Sequence, residues 1–186
     1  MQRFNAIQTP LEGLKRIERS PIEDDRGSLS RIFCAQELEN AGWLKSVAQI
    51  NHARTNIKGT VRGMHYQQSP HAEAKLVSCI RGSIWDVAVD LRKGSTTFLQ
   101  WFAQELSPQN NLAMLIPEGF AHGFQTLEND CEIVYVHSAP FSPSAEARIN
   151  PQDPSLKIRW PLEIKTISTK DSQQKYIDAH FLGVTL

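Results

Sequence analysis

The chain has 186 residues, of which 40% are apolar and 22% charged, and these proportions fit one soluble globular domain over residues 1–186. Its 20 basic residues balance 20 acidic ones, which excludes the overall positive field of proteins that bind nucleic acid or anionic membranes. Residues 1–21 lack the apolar stretch of a signal peptide, and no apolar run is long enough for a membrane span.

The cysteines indicate a redox compartment. Cys34, Cys79 and Cys131 are odd in number and far apart, and none belongs to a CxxC pair. This pattern disfavours both a disulfide framework and a zinc site. We therefore expect a protein of the reducing cytoplasm.

The N-terminal part of the chain carries few signals of regular structure. Residues 1–21 show little periodicity, and Asp24-Asp25-Arg26-Gly27 predicts a turn that leads into a strand over residues 28–33. A short helix is predicted over residues 35–41, closed by Gly42 in the left-handed conformation that ends many helices.

Residues 45–138 follow a β pattern. Short runs rich in strand-forming residues alternate with turn residues, at the intervals typical of a sandwich or barrel. Residues 83–91 alternate an apolar face with a mixed one, as expected of a strand with one buried face. The eight predicted strands cover residues 45–52, 60–67, 75–80, 83–91, 97–106, 111–116, 119–126 and 131–138.

The C-terminal part predicts an irregular segment and one helix. Residues 140–161 contain five prolines, and Ser168-Thr169-Lys170-Asp171 matches a capping box before a helix over residues 172–180. Because strand patterns dominate the chain, the predicted fold is an all-β jelly roll (double-stranded β-helix) with short peripheral helices.

The motif Arg62-Gly63-Met64-His65-Tyr66-Gln67 lies in the second predicted strand and contains a candidate base. Histidine suits proton transfer because its unperturbed pKa lies near neutral pH. Strict alternation places Arg62 and His65 on opposite faces of the strand. An isolated glycine often marks a β-bulge, however, and a bulge at Gly63 would re-aim the pair.

A metal site is the less favoured alternative. Residues 117–122 have the P-x-G-x-x-H form of the second cupin motif, whose histidine binds a metal in many cupins. The first motif would supply H-x-H, but this chain has Gln67 in place of the second histidine, and such sites need about three protein ligands. His65, Glu73 and His122 would have to form the set, so we expect no metal and no cofactor.

Six motifs follow one another along the chain: Arg62-Gly63-Met64-His65-Tyr66-Gln67, Lys75-Leu76-Val77, Asp86-Val87-Ala88-Val89-Asp90-Leu91-Arg92, Leu106-Ser107, residues 116–124 and Ile158-Arg159-Trp160-Pro161. In this order and spacing they resemble the dTDP-4-dehydrorhamnose 3,5-epimerase family over about residues 25–171. The resemblance implies a metal-free cupin-type jelly roll, usually a homodimer, that acts on nucleotide-diphospho-4-keto-6-deoxy sugars.

The resemblance also implies catalytic roles. His65 resembles the base that removes a proton next to the ketone, and Asp171 resembles the carboxylate that orients this base. Lys75 resembles the cation beside the C4 oxygen, where negative charge grows as the enolate forms. Tyr135 resembles the acid that returns a proton to the opposite face of the sugar.

Five further residues resemble positions that bind the substrate. Arg62 and Arg26 resemble arginines that hold the diphosphate, the second of them reaching into the partner subunit. Gln49 and Asn51 resemble residues that contact the substrate. His122 resembles a pocket residue.

Each catalytic candidate also has a purely structural interpretation. A histidine on a strand, such as His65, often has a structural role through its hydrogen bonds and is not a base. Asp171 can be explained as a residue of the capping box alone. Tyr135 could serve strand packing, and Lys75 could protect a sheet edge.

The chain departs from the family pattern at Phe141, Arg31, Val136 and Glu73, where many members carry tyrosine, glutamate, lysine and glutamine. These departures leave open the sugar, the nucleotide base and whether C3, C5 or both are inverted. Two other functions remain as alternatives: a metal-dependent cupin isomerase or dioxygenase, and a non-catalytic protein that binds sugar nucleotides.

Overall fold

A computed structural model describes residues 2–186. Among these residues, neither helix is long and apolar enough to cross a membrane. The strands are β1 (Phe4–Gln8), β2 (Lys15–Arg19), β3 (Ile22–Asp24), β4 (Gly27–Leu29), β5 (Gln49–Thr55), β6 (Thr60–Gln67), β7 (Lys75–Arg81), β8 (Ile84–Asp90), β9 (Trp101–Leu106), β10 (Leu112–Ile116), β11 (Phe120–Thr126), β12 (Cys131–His137), β13 (Glu146–Arg148) and β14 (Thr166–Ile167). The helices are α1 (Ala35–Glu39) and α2 (Thr169–Ser172).

The strands form two facing sheets. The first sheet has the order β1-β2-β10-β7-β12-β5, and the second has the order β13-β6-β11-β8-β9 with β14 beside β6. All neighbours are antiparallel except β14 and β6, which are parallel. The predicted all-β jelly roll with short peripheral helices is confirmed, and the β3–β4 hairpin forms a separate small sheet.

The inward faces of the two sheets change from apolar to polar along the strands. On β12, Cys131 and Ile133 belong to the apolar cluster between the sheets, whereas His137 at the other end of the same face lines a cavity. On β7, Val77 lies in the cluster and Lys75 in the cavity. The period-two alternation of strands thus supplies a core at one end of the barrel and a polar site at the other.

Parts of the outer faces of both sheets are covered as well. Leu38 of α1 and Trp43 pack on the first sheet, and Ile149 and Leu156 pack on the second. The expectation of one buried face for residues 83–91 is therefore wrong, because β8 is buried on both faces.

The cap predicted at Gly42 is confirmed. Gly42 has a φ of 104°, and the amides of Gly42 and Trp43 donate to the carbonyls of Glu39 and Leu38. This pair of hydrogen bonds is the Schellman motif, which satisfies carbonyl groups left free at the end of α1.

The structure contains strands that the sequence did not indicate. Residues 1–21 show little periodicity in the sequence, but β1 and β2 form a hairpin beside β10, held by the buried side chains of Phe4 and Ile17. β13 and β14 likewise come from segments without a strand pattern. Three predicted strands differ from the structure by more than one residue at an end: β4 ends at Leu29, β5 begins at Gln49 and β9 begins at Trp101.

The predicted helix over residues 172–180 is wrong. α2 is a single turn that the Ser168 side chain caps by accepting from the Asp171 amide, and it ends before residue 173. The side-chain amide of Asn150 donates to the carbonyls of Ser172 and Gln174, and the Asp153 carboxylate accepts from the Ile177 amide. These tertiary hydrogen bonds satisfy backbone groups that a continued helix would pair internally.

Gly63 marks a β-bulge, as the sequence suggested. His122 of β11 pairs with His65 and Phe124 pairs with Arg62, so β6 has one residue more than β11 over this interval. The extra residue breaks the alternation, and both Arg62 and His65 line the cavity between the sheets.

We expect Gly63→Ala to lower the free energy of unfolding by at least about 3 kcal/mol. Gly63 has a φ of 135°, and an added Cβ would lie 2.5 Å from the Cα of Gly123. Gly94→Ala is the matched control, with a φ of 78° but no atom within 4 Å, and should cost about 1 kcal/mol. Urea unfolding measures both variants, and an equal decrease in unfolding free energy in the two would contradict the close approach of β6 and β11.

Candidate active site

A cavity of about 370 Å³ lies between the two sheets at their polar end. The inward faces of β5, β6, β7, β11 and β12 supply its walls. Six of the nine predicted site residues line it: Asn51, Arg62, His65, Lys75, His122 and Tyr135.

His65 pairs with Asp171, as predicted. The Nε2 atom of His65 lies 2.8 Å from Oδ1 of Asp171, which is buried in α2. An ionised carboxylate only accepts hydrogen bonds, so it selects the tautomer with the proton on Nε2. Nδ1 then carries the lone pair, and no residue within 2–186 bonds to it.

Arg148 is a site residue that sequence reasoning missed. Its Nη1 donates to Oδ1 of Asp171 at 2.5 Å and lies 3.0 Å from Nε2 of His65, while Nη2 donates to Glu146 at 2.7 Å. Because arginine has no acceptor atom, the Asp171 oxygen is the shared partner of both groups. The signal available in the sequence was the spacing of Glu146 and Arg148, which puts both on one strand face.

The electrostatics of Asp171 favour its ionised form. Burial raises the pKa of this carboxyl, but the hydrogen bond and charge of His65, with further bonds from Ser168 and Arg148, lower it to about 2. Asp171 is therefore a fixed negative charge behind His65 at neutral pH.

Lys75 lies between a carboxylate and a backbone carbonyl of the site. Its Nζ is 3.1 Å from Oε1 of Glu73 and 3.4 Å from the carbonyl oxygen of His65. Burial acts to raise the pKa of Glu73, but the hydrogen bond from His137 and the charge of Lys75 outweigh it and lower the pKa. Lys75 is thus a buried member of an ion pair and no solvated edge lysine.

Tyr135 occupies the first sheet, opposite His65 on the second. Its ring packs against those of His122 and His137, with centroids 6.0 and 6.1 Å away. Its hydroxyl forms no hydrogen bond with residues 2–186. Burial raises the pKa of Tyr135 far above its usual range, and the nearby charge of Asp86 adds to this effect.

His122 faces the cavity and is held from behind by Asp86. Nε2 of His122 lies 2.7 Å from Oδ1 of Asp86, both side chains are buried, and Oδ2 of Asp86 has no partner within residues 2–186. Burial raises the pKa of Asp86.

The three residues considered as metal ligands do not form one site. His65, Glu73 and His122 each bind a different partner, and residues 2–186 contain no group of three metal-ligating side chains.

The remaining candidates differ in their positions. Arg62 forms no salt bridge within residues 2–186 and is available to an anion, whereas Gln49 lies behind Asn51 and donates to it at 3.0 Å. Arg26 does not join the cavity of its own chain. It lies on the β3–β4 turn with its side chain 90% exposed and paired to Asp24.

The sequence profile of dTDP-4-dehydrorhamnose 3,5-epimerase matches residues 8–179. The chain belongs to this family. It is 39% identical to the dTDP-4-dehydrorhamnose 3,5-epimerase of Shigella flexneri over 180 residues, which cover 96% of this chain and 99% of that enzyme. As a member of an epimerase family, the protein is an isomerase.

Solved structures of related epimerases share the fold. An epimerase from Legionella pneumophila, in complex with dTDP-4-keto-L-rhamnose, is 39% identical with a TM-score of 0.90 and covers 97% of this chain and 98% of its own. A 3'-monoepimerase from Streptomyces bikiniensis, in complex with dTDP-quinovose, is 32% identical with a TM-score of 0.84 and covers 91% of this chain and 86% of its own.

We expect Asp171→Asn to change the acid sensitivity of the fold. The lowered pKa of Asp171 means that its ionisation stabilises the protein fully above the unfolded-state value of about 4 and progressively less as pH falls towards 2. As pH falls across this window, the free energy of unfolding of the wild type should therefore decrease by about 2 kcal/mol more than that of the variant. Urea unfolding at a series of pH values measures the difference, and a constant difference would contradict the pairing.

Proposed function

We propose that this protein inverts one or both carbons beside the ketone of a nucleotide-diphospho-4-keto-6-deoxy sugar of the dTDP-4-dehydro-6-deoxyglucose type. The observation that carries the proposal is the His65–Asp171 pair beside the Lys75 ammonium in one cavity. The sugar nucleotide bound to the Legionella pneumophila relative supports the substrate class.

The first chemical step is removal of the proton α to the ketone. Nδ1 of His65 takes this proton, and Asp171 stabilises the imidazolium that results. The electron pair of the C–H bond becomes the enolate, whose oxygen gains negative charge. Lys75 stabilises that charge, and because its own side chain is buried, its ammonium acts as a fixed cation.

The second step returns a proton to the opposite face of the carbon. His65 lies on the second sheet and Tyr135 on the first, and facing sheets are about 10 Å apart, which leaves room for a sugar ring between them. Tyr135 donates the proton from its side. If His65 returns the proton instead, the configuration of the carbon is retained.

The substrate is bound through its anionic part. Arg62 holds the diphosphate with its planar fork of donors, and Asn51 and His122 contact the substrate in the cavity. Gln49 supports Asn51. No metal or other cofactor takes part in this reaction scheme.

We also propose a homodimer in which Arg26 binds the diphosphate in the partner's cavity. The β3–β4 hairpin is exposed along its whole length and carries the apolar side chains of Ile22 and Leu29, which a second subunit would cover. β5 is the last strand of the first sheet, paired with β12 on one side only, and its Ile50 is exposed. The free thiols of Cys79 and Cys131 support a location in the reducing cytoplasm.

The proposed function is tested by incubating a 4-keto-6-deoxy sugar nucleotide with the protein in deuterium oxide. Deuterium should enter beside the ketone, as NMR would show. His65→Asn should lower the exchange rate at least about 10³-fold, and Asp171→Asn about 10²-fold through a misoriented or wrongly tautomeric imidazole. Binding without any exchange by the wild type would instead indicate a sugar-nucleotide binding protein.

Tyr135→Phe should separate exchange from inversion. The variant keeps the ring and its packing but loses the donor, so His65 can still remove and return a proton on its own side. Deuterium exchange with retention should continue, while net inversion should fall by at least about 100-fold. Inversion near the wild-type rate would show that another group or water is the acid, and loss of exchange would assign Tyr135 to the first step.

Light scattering at micromolar concentration should give a mass about twice the 21.0 kDa of one chain. Arg26→Ala should leave this mass unchanged and raise KM about tenfold, because one charged contact to the diphosphate is lost. A monomer with an unchanged KM in the variant would refute the exchange of Arg26 between subunits.

A further inference from the structure

His137 and Glu73 form a third imidazole–carboxylate pair at the same cavity, after those of His65 and His122. Nδ1 of His137 lies 2.8 Å from Oε2 of Glu73, and both side chains are nearly buried. His137 is on β12 of the first sheet, whereas His65 is on β6 of the second. Lys75 lies between the pairs, within 3.1 Å of Glu73 and 3.4 Å of the His65 carbonyl oxygen.

The Glu73 carboxylate determines the tautomer of His137, because it can only accept a proton from Nδ1, and a chain of hydrogen bonds through Gln49 and Asn51 agrees with this assignment. The backbone amide of Phe141 can only donate, so its partner on Gln49 is Oε1, and Nε2 of Gln49 donates to Oδ1 of Asn51. Nδ2 of Asn51 then faces Nε2 of His137 at 3.4 Å. His137 consequently carries its proton on Nδ1, donated to Glu73, and has its lone pair on Nε2.

Nε2 of His137 is therefore available for proton transfer. The contact with Asn51 is long for a hydrogen bond, so it competes little with a proton. Glu73 is ionised, because His137 and Lys75 outweigh the effect of burial on its pKa. An ionised carboxylate behind Nδ1 stabilises the imidazolium, just as Asp171 does behind His65.

Tyr135 alone is a costly proton donor, and a second acid on the first sheet would avoid this cost. Burial raises the pKa of Tyr135, and its hydroxyl has no partner within residues 2–186, so the phenolate left after donation is costly. An imidazolium leaves a neutral group when it donates a proton. His137 is two residues from Tyr135 on the same inward face of β12, and both line the cavity.

We propose that His137, oriented by Glu73, is a second proton donor to the enolate from the first sheet. This role rests on the proposed epimerase function. Nε2 of His137 first takes a proton from solvent. Its N–H bond then breaks, the enolate electron pair forms the new C–H bond, the C4–O bond becomes a carbonyl again, and His137 returns to the neutral imidazole.

The test compares Tyr135→Phe with the double variant Tyr135→Phe/His137→Gln. Both are given a 4-keto-6-deoxy sugar nucleotide in deuterium oxide, and NMR follows exchange and inversion separately. We expect slow residual inversion in Tyr135→Phe that falls at least a further tenfold in the double variant. Exchange with retention should stay within about twofold, because it needs only His65 and Lys75.

Single variants and a matched control complete the experiment. His137→Gln alone should lower inversion relative to exchange, and Glu73→Gln should lower it less, because the amide oxygen still accepts from Nδ1. His180→Gln is the control, since His180 is exposed and does not line the cavity, and the ratio of inversion to exchange should not change.

The outcomes separate this inference from the proposed function. No residual inversion in Tyr135→Phe, or residual inversion that is unchanged in the double variant, overturns the role of His137. Parallel loss of exchange and inversion in His137→Gln also overturns it, because His137 would then support the fold or Lys75. Failure of the wild type to exchange deuterium overturns the proposed function itself.

Discussion

The close contact of β6 and β11 at Gly63 is the constraint on which the site depends. Gly63 and Gly123 face each other without side chains, and a Cβ on either would collide with the other strand. Their approach accommodates one additional residue in β6, and this residue turns both Arg62 and His65 towards the cavity. Without it, regular alternation would send Arg62 to the outer face, away from the base it accompanies.

The polar end of the barrel is stable because its buried carboxylates are paired with imidazoles in the absence of substrate. His65 with Asp171, His122 with Asp86 and His137 with Glu73 each place a carboxylate behind an imidazole. Burying an unpaired charge is costly, and these pairs also fix the orientation of each ring. Arg62 is the contrasting case, because it forms no ion pair within residues 2–186 and so retains its donors for an anionic ligand.

The C-terminal segment connects the fold to the chemistry. Asp171 is 106 positions from His65 in the chain, and α2 alone is too short to be stable in isolation. Asn150 and Asp153 bind the backbone after Asp171, while Ile149 and Leu156 pack on the outer face of the second sheet. The carboxylate behind the base is therefore held by the packing of the tail, and the same hydrogen bonds end the helix after one turn.

The sequence by itself determined the β architecture between residues 45 and 138, the cap at Gly42 and the family, because alternation, turn residues and motif order are local properties of the chain. It offered the bulge at Gly63 only as an alternative to strict alternation, and the pairing of β6 with β11 decided between them. Its site candidates came from family resemblance, and six of the nine line one cavity. Only the tertiary structure decided the hairpin of β1 and β2, the early end of α2, and the contacts of Arg148, His137 and Glu73. These features depend on hydrogen bonds and packing between residues far apart in sequence, for which no local pattern exists.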